Sequence, residues 1–268
     1  MTVKDREASA SRTPGGVQSL DRAFTILETI ADAGGVIGLS ELTKAADLPL
    51  ATIHRLVRTL VDLGYVTQEP SRQYSLGPRL MRLADASAKR IGTWARPAMD
   101  AAVAKLGESV NLAMLDGDEI VYVAQSQAAS NFMRMFTEVG RRTLPHATAV
   151  GKAILAAQPD DEVRALLERT GMPRHTDQTL TEPAQFLAAL ELARARGFAV
   201  DEGEQELGVR CVAVRVAGAP RPMALSMSGP LPRMGDDVIE RAASVLRDTA
   251  VEISVELNRT GSLRRLDV

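Results

Sequence analysis

The segment LPLATIHRLVRTLVDLGYV, from Leu48 to Val66, is the most informative part of the sequence for the structure of the first part of the chain. Its apolar residues recur at the spacing of one helix face, which predicts a helix that packs along that face. They are Ile53, Leu56, Val57 and Leu60. The opposite face carries hydroxyl and guanidinium groups on Thr52, Arg55, Arg58 and Thr59. An ordinary surface helix with solvated arginines has the same two faces, so this segment alone leaves its function open.

The flanking residues predict the other elements of a small three-helix domain. Residues 17–33, VQSLDRAFTILETIADA, predict a first helix, and residues 39–47, LSELTKAAD, predict a second helix that Ser40 caps. Gly64 ends the third helix, and residues 65–77 predict a hairpin with its turn at residues 69–72. Helix, helix, turn, helix and hairpin is the order of a winged helix-turn-helix, whose recognition helix enters the major groove of DNA.

In this arrangement the polar face of the third helix contacts base edges and phosphates, and the hairpin tip reaches the DNA backbone or the minor groove. The residues expected to contact DNA are Ser40, Thr52, His54, Arg55, Arg58 and Arg72. Residues 49–82 hold five arginines against two acidic residues, a local net charge of +3 in a chain whose net charge is −2. This excess is modest, and its placement matters more than its size. The order of three helices and a hairpin is what favours a DNA-binding role over a plain surface helix.

Composition limits the class of protein. The chain has 268 residues, of which 45% are hydrophobic, enough for one large or two ordinary domains. No apolar run approaches the roughly 18 residues of a membrane span. The polar N-terminal segment lacks the apolar core of a signal peptide, so we expect a cytoplasmic protein without membrane contact. The single cysteine, Cys211, excludes an internal disulfide and a multi-cysteine zinc site. Three histidines without metal-ligand spacing predict no metal site, and no cofactor is expected.

The pattern changes after the winged domain. Residues 1–16 predict a disordered tail, 17–78 the winged helix-turn-helix, 79–92 a linker helix and 93–262 a second domain. Strand-like segments begin at residues 109, 119, 131, 198, 211 and 222, and helical segments begin at residues 148, 160, 183 and 236. These segments predict a mixed α/β module around an antiparallel sheet, so the fold class of the whole chain is α+β.

Several separated motifs then identify a family resemblance. They are VQSLDRAFTILE, LPLATIHRLVRTL, YSLGPRL, LPHATAVGKAILA, GFAVDEGEQELGVRCVAV and ALSMSGP. In this order they resemble the IclR family of bacterial transcriptional regulators over about residues 17–258, and within it the repressors of allantoin and glyoxylate metabolism. The resemblance implies a GAF-like effector-binding domain after the winged helix-turn-helix, operator DNA as a partner, small organic-acid effectors such as glyoxylate or allantoin-related compounds, and self-association as a dimer or tetramer.

The resemblance also implies which residues contact the effector. They are Thr148, Ala149, Val150, Asp201, Cys211, Ser226, Met227 and Ser228. Ser226 and Ser228 are two apart on a strand, so both hydroxyls face the same side and can bind one small anion. Many members of the family have glycine where this chain has Ala149 and Val150, which changes the expected size and pose of the ligand. Apolar walls are expected from Phe132, Met133, Met135 and Leu144.

Two other functions are weighed against a DNA-binding repressor. A cysteine-dependent enzyme would use Cys211 as nucleophile with His146 or His175 as base, but Cys211 lies in an apolar strand segment and not at an exposed helix start, where thiolates are stabilised. A metabolite sensor that acts through protein contacts alone would lack salt-sensitive DNA binding. The VGKAI segment lacks the Ser/Thr and the upstream glycine of a phosphate-binding loop, so a nucleotide site is rejected.

Overall fold

The computed structural model describes residues 16–91, 93–128 and 137–260. The chain forms two compact units that divide between Ser87 and Ala88. The predicted domain limits at residues 16, 78, 92 and 262 stay predictions. Most of the tail and of the strand predicted at 131–139 lies outside the described residues, as do the predicted wall residues Phe132, Met133 and Met135.

The first unit has the predicted order of helices and hairpin. Helices α1 (Gln18–Asp32), α2 (Leu39–Ala46) and α3 (Leu50–Asp62) are followed by strands β2 (Val66–Gln68) and β3 (Tyr74–Leu76), with a short strand β1 (Val36–Ile37) between α1 and α2. Their shared core contains Ile26, Ile30, Leu42, Ile53 and Val57. Helix α4 (Arg79–Ile91) follows and contains the division between the units.

Two details of this unit differ from the sequence prediction. Strand β1 adds a third strand to the predicted hairpin, in the antiparallel order β1-β3-β2. Ser40 does not cap α2, because the N-cap residue is Gly38, whose N–H donates to the Glu41 carboxylate at 3.4 Å. Ser40 is instead an exposed residue in the first turn of α2.

The second unit is built on one six-stranded antiparallel sheet. Its order is β6-β5-β4-β9-β8-β7. The strands are β4 (Ser109–Asp116), β5 (Glu119–Ser126), β6 (Arg142–Thr143), β7 (Ala199–Asp201), β8 (Val209–Arg215) and β9 (Met223–Pro230). The helices are α5 (Arg96–Leu106), α6 (Ala149–Leu155), α7 (Asp160–Thr170), α8 (Pro183–Arg196) and α9 (Asp236–Thr260).

The two faces of this sheet bury different sets of residues, since side chains alternate along each strand. Helices α5 and α9 cover one face, where Val110, Leu112, Val212 and Met227 form a large apolar core. Helix α6 covers the other face, where the core is lined by smaller side chains such as Ala113, Ala213 and Ala224. Small residues leave space between α6 and the sheet, and the candidate ligand cavity lies there.

None of the helices in the described parts of the chain combines the length and the apolar content that spanning a membrane requires.

Candidate DNA-binding surface and effector cavity

Helix α3 presents the predicted cationic face. Ile53, Val57 and Leu60 are buried against the core of the first unit, and this fixes the rotation of the helix. His54, Arg55 and Arg58 are exposed on the opposite side, and Thr52 is half-buried. Among the residues that the structure describes, the guanidinium groups of Arg55 and Arg58 have no ion-pair partner. They are therefore available to phosphate and base acceptors.

The hairpin places a further cation at its tip. Arg72 is exposed and has a φ of 65°, a left-handed conformation that closes the turn together with a 2.9 Å hydrogen bond from its N–H to the carbonyl of Glu69. Arg79, in contrast, has a structural task. Its guanidinium lies over the ring of Tyr65 at 5.4 Å and donates to the carbonyl of Leu63 at 2.9 Å, just past the end of α3. Arg72 is thus exposed for a partner, whereas Arg79 ties the start of α4 to α3.

In the second unit, strand register brings the predicted effector residues together. Asp201 on β7 pairs with Cys211 on β8, and Cys211 pairs with Ser228 on β9. Directly paired residues of antiparallel strands point to the same face, so these three side chains form one row under α6. Ser226 lies two residues from Ser228 and belongs to the next row on the same face.

These rows form the floor of a small cavity, part of which opens to solvent. Helix α6 forms its roof through Thr148, Ala149 and Val150. The Thr148 hydroxyl caps this helix by accepting from the Gly151 N–H at 3.0 Å. A Cβ atom on Gly151 would lie only 2.1 Å from the carbonyl oxygen of Pro145, so the close approach of the preceding segment requires glycine.

Seven of the eight predicted effector residues line this cavity: Thr148, Ala149, Val150, Asp201, Cys211, Ser226 and Ser228. The eighth, Met227, does not line the cavity. Its neighbours Ser226 and Ser228 face the cavity, and because side chains alternate along the strand, Met227 points into the apolar core on the other face. Leu144 is half-buried and is not among the lining residues.

The sequence does not predict five other lining residues. They are Tyr122, Thr137, Gln205, Glu206 and Val209. The position of Tyr122 depends on a β-bulge between Leu112 and Ala113, which shifts the register of β5 against β4. A bulge of this kind has no signal in the local pattern. Val209 begins β8, Gln205 and Glu206 lie in the loop between β7 and β8, and Thr137 contacts Gln125 of β5, so only the tertiary fold brings these four residues together.

The electrostatics of the cavity are unusual for an anion site. Asp201 and Glu206 line it, and no lysine, arginine or histidine is among its lining residues in the described parts of the chain. Burial, reinforced by the charge of Glu204, raises the pKa of Asp201 to about 7. The nearby cation, Lys152, is paired with the Glu204 carboxylate, and its Nζ also donates to the carbonyl of Val200 at 2.9 Å. Asp201 is therefore close to half-protonated at neutral pH.

The geometry does not provide an activated thiol. The Cys211 thiol donates to the Ser228 hydroxyl at 3.1 Å, and burial raises the pKa of the thiol well above its ordinary value. His146 is buried with its Nε2 3.0 Å from the carbonyl oxygen of Pro173, and its ring stacks on that of His175 at 5.7 Å between centroids. Burial lowers the pKa of His146 to about 4. In the described residues, no group of three or more His, Cys, Asp or Glu side chains is arranged to hold a metal ion.

Comparison with known proteins agrees with both units. Residues 19–70 match the model of the IclR helix-turn-helix domain, and residues 84–255 match that of the bacterial transcriptional regulator IclR C-terminal domain. These two regions contain helix α3 and the whole cavity, respectively.

Individual proteins match over most of their length. The HTH-type transcriptional regulator BhcR of Paracoccus denitrificans is 33% identical over 91% of this chain and 87% of its own. The HTH-type transcriptional repressor AllR of Salmonella typhimurium is 32% identical over 90% of each chain. A solved IclR homologue from Microbacterium hydrocarbonoxydans, in complex with 4-hydroxybenzoate, is 26% identical and superposes with a TM-score of 0.76 over 90% of this chain and all of its own. The chain described here belongs to the IclR family of bacterial transcriptional regulators.

Proposed function

We propose that this protein is a repressor whose binding to operator DNA is controlled by a small organic acid held in the cavity of the second unit. The observation that carries the proposal is the convergence of Asp201, Cys211, Ser226 and Ser228 beneath Thr148 around one cavity. Enclosed cavities with a few convergent polar groups are the usual form of ligand sites. The relatives support the same assignment, since AllR is named a repressor and the homologue from Microbacterium is bound to an aromatic acid.

DNA binding is assigned to the exposed face of the first unit. Arg55, Arg58 and His54 on α3 contact bases and phosphates in the major groove, with Thr52 beside them, and Ser40 and Arg72 contact the backbone or the minor groove. A dimer, or a tetramer built from two dimers, presents two such faces to a near-palindromic operator. A cytoplasmic location follows from this function.

The size and the polarity of the cavity define the class of effector. The cavity is small, with room for little more than a water-sized group between its lining residues, which favours a compact molecule such as glyoxylate or an allantoin-related compound. The hydroxyls of Ser226 and Ser228 donate to its oxygens. When Asp201 is protonated, its carboxyl group also donates a hydrogen bond to the ligand. The cavity can therefore bind the carboxylate of the ligand beside this acidic residue.

The protein acts as a binding switch, not as an enzyme. A nucleophilic cysteine needs a thiolate and a base within hydrogen-bond reach. Here Cys211 donates to Ser228, and neither His146 nor His175 lines the cavity. These contacts favour a thiol that serves as a hydrogen-bonding wall.

Two variants test the proposal. DNA binding is measured by fluorescence anisotropy on a duplex that the protein has selected from a random library, and acid binding is measured by calorimetry with glyoxylate and 4-hydroxybenzoate. Arg55→Ala weakens DNA binding and leaves acid binding intact, and the double variant Ser226→Ala/Ser228→Ala does the reverse. Loss of both activities to the same degree in both variants contradicts the two-site assignment. Absence of salt-sensitive DNA binding by the wild type leaves a metabolite sensor that acts through protein contacts.

A further inference from the structure

We infer that Asn111, a residue of the sheet that no effector assignment includes, is an additional ligand-binding residue whose side-chain N–H donates to the occupant of the cavity beside Ser226. The inference rests on the proposed function, and it adds a hydrogen-bond donor from strand β4 to those of β9 in the same cavity.

The register of the sheet puts Asn111 on the cavity face. Asn111 lies on the central strand β4, directly opposite Ser226 on β9 and Gln125 on β5. Directly paired residues share a face, so the Asn111 side chain lies in the row that contains Ser226, which lines the cavity. Its neighbours along β4, Val110 and Leu112, point into the core of the other face.

Hydrogen bonds fix the orientation of the Asn111 amide. Gln125 Nε2 donates to the carbonyl oxygen of Thr137 at 2.7 Å, and a carbonyl can only accept, so the nitrogen end of the Gln125 amide is identified. The same Nε2 donates to Asn111 Oδ1 at 2.9 Å. The Nδ2 of Asn111 is therefore turned away from Gln125, with Ser226 as the neighbour on the adjacent strand.

This Nδ2 is a buried donor in need of an acceptor. Asn111 is fully buried, and its Nδ2 has no hydrogen-bond partner among the described residues. A buried donor without a partner is destabilising, and such groups are uncommon in folded proteins. Asn111 is not itself a lining residue, but Ser226, its neighbour in the row, and Thr137, which contacts Gln125, both line the cavity. An oxygen of a ligand that enters between these two residues would satisfy the Asn111 Nδ2.

The donors in this part of the cavity define the chemistry of the ligand. The Cys211 thiol donates to the Ser228 hydroxyl, which leaves the hydroxyl hydrogen of Ser228 free to point elsewhere. With Ser226 and Asn111 this gives two hydroxyl donors and one amide donor along two strands. The set fits two oxygens on adjacent atoms, as in a carboxylate next to a carbonyl, that is, a 2-oxo acid.

The test compares Asn111→Leu with a matched control. Leucine has a similar volume and cannot donate. The control is Ser126→Ala, because Ser126 also has a buried hydroxyl without a partner among the described residues, but it pairs with Val110 and so faces away from the cavity. The dissociation constants of glyoxylate and 4-hydroxybenzoate are measured by calorimetry. Asn111→Leu weakens glyoxylate binding about tenfold, the loss of one hydrogen bond, and weakens 4-hydroxybenzoate binding less, whereas Ser126→Ala changes neither.

The outcomes separate the inference from the proposed function. If wild type and a folded Asn111→Leu bind glyoxylate equally, the inference is overturned and the proposed function stands. If neither acid binds the wild type, the proposed function fails for this ligand class and the inference fails with it. Should Asn111→Leu not fold, a crystal structure of the wild type with glyoxylate decides. A glyoxylate oxygen within hydrogen-bond distance of Asn111 Nδ2 supports the inference, and a glyoxylate without that contact overturns it.

Discussion

Lowering the pH from 8 to 6 should tighten the binding of a carboxylate ligand, because the ligand and an ionised Asp201 cannot share the cavity. Two like charges about 4 Å apart repel by about 4 kcal/mol at an effective dielectric constant of about 20, which excludes the doubly ionised complex. Lys152 offsets only part of this repulsion, since it is paired with Glu204. The complex therefore forms with Asp201 protonated.

The size of the effect follows from the pKa of Asp201, about 7 in the free protein. A raised pKa means that the protonated, binding-competent form dominates below pH 7 and is lost as the pH rises above it. If only this form binds, the apparent dissociation constant increases about tenfold between pH 6 and pH 8. The neighbouring His146, Cys211 and Tyr122 do not contribute, because burial lowers the pKa of His146 to about 4 and raises the pKa of the other two groups far above this range.

Calorimetry with glyoxylate, which stays ionised over this range, measures the effect directly. Titrations at pH 6, 7 and 8 in buffers of different ionisation enthalpy give both the affinity and the number of protons taken up. Asp201→Asn is the control. It keeps an oxygen that accepts from the Glu204 N–H, the bond that Asp201 Oδ1 makes at 2.7 Å, and it cannot titrate. The affinity of Asp201→Asn should not depend on pH. A wild-type affinity that does not change with pH, or a pH dependence that persists in Asp201→Asn, would show that Asp201 does not control binding.

Three further substitutions test other parts of the molecule. Arg55→Ala should weaken DNA binding and reduce the slope of log affinity against log salt by about one, whereas the control Arg259→Ala, in the other unit, should change neither. An unchanged slope in Arg55→Ala would mean that Arg55 does not contact DNA. Lys152→Met leaves the buried Glu204 carboxylate without its cation, so the free energy of unfolding in urea titrations should fall by about 3–5 kcal/mol. A loss below about 1 kcal/mol would mean that the Lys152–Glu204 pair is not formed. Gly151→Ala forces a Cβ to within 2.1 Å of the Pro145 oxygen and should cost at least about 2 kcal/mol in the same assay, so near-wild-type stability would contradict the close approach.

The first unit could be predicted largely from its sequence because its signals are local. The period of Ile53, Val57 and Leu60 fixes the buried face of α3, and Gly64 follows its end at Asp62. Strand β1 was missed because two residues carry no periodic signal, and it exists only through its pairing with β3. The cap of α2 was assigned wrongly, since Ser40 is a common cap residue whereas the cap is Gly38 with a contact from Glu41.

The cavity was less predictable because it depends on contacts between distant strands. Alternation along β9 correctly placed Ser226 and Ser228 on one face, and the same rule should have excluded Met227. The positions of Asn111 and Tyr122 follow from the registry of β4 with its neighbours and from a bulge, neither of which a single strand reveals.

If an acid in the cavity controls DNA binding, the two affinities must be linked, and both can be measured on the same protein. The DNA affinity of the wild type is determined by anisotropy with and without a saturating acid that calorimetry shows to bind, starting with glyoxylate. We expect a change of about 5- to 150-fold, and an equal change in the affinity for the acid when DNA is saturating, because coupling between two sites is reciprocal. An acid that binds the cavity and leaves the DNA affinity unchanged would show that the two sites are not coupled.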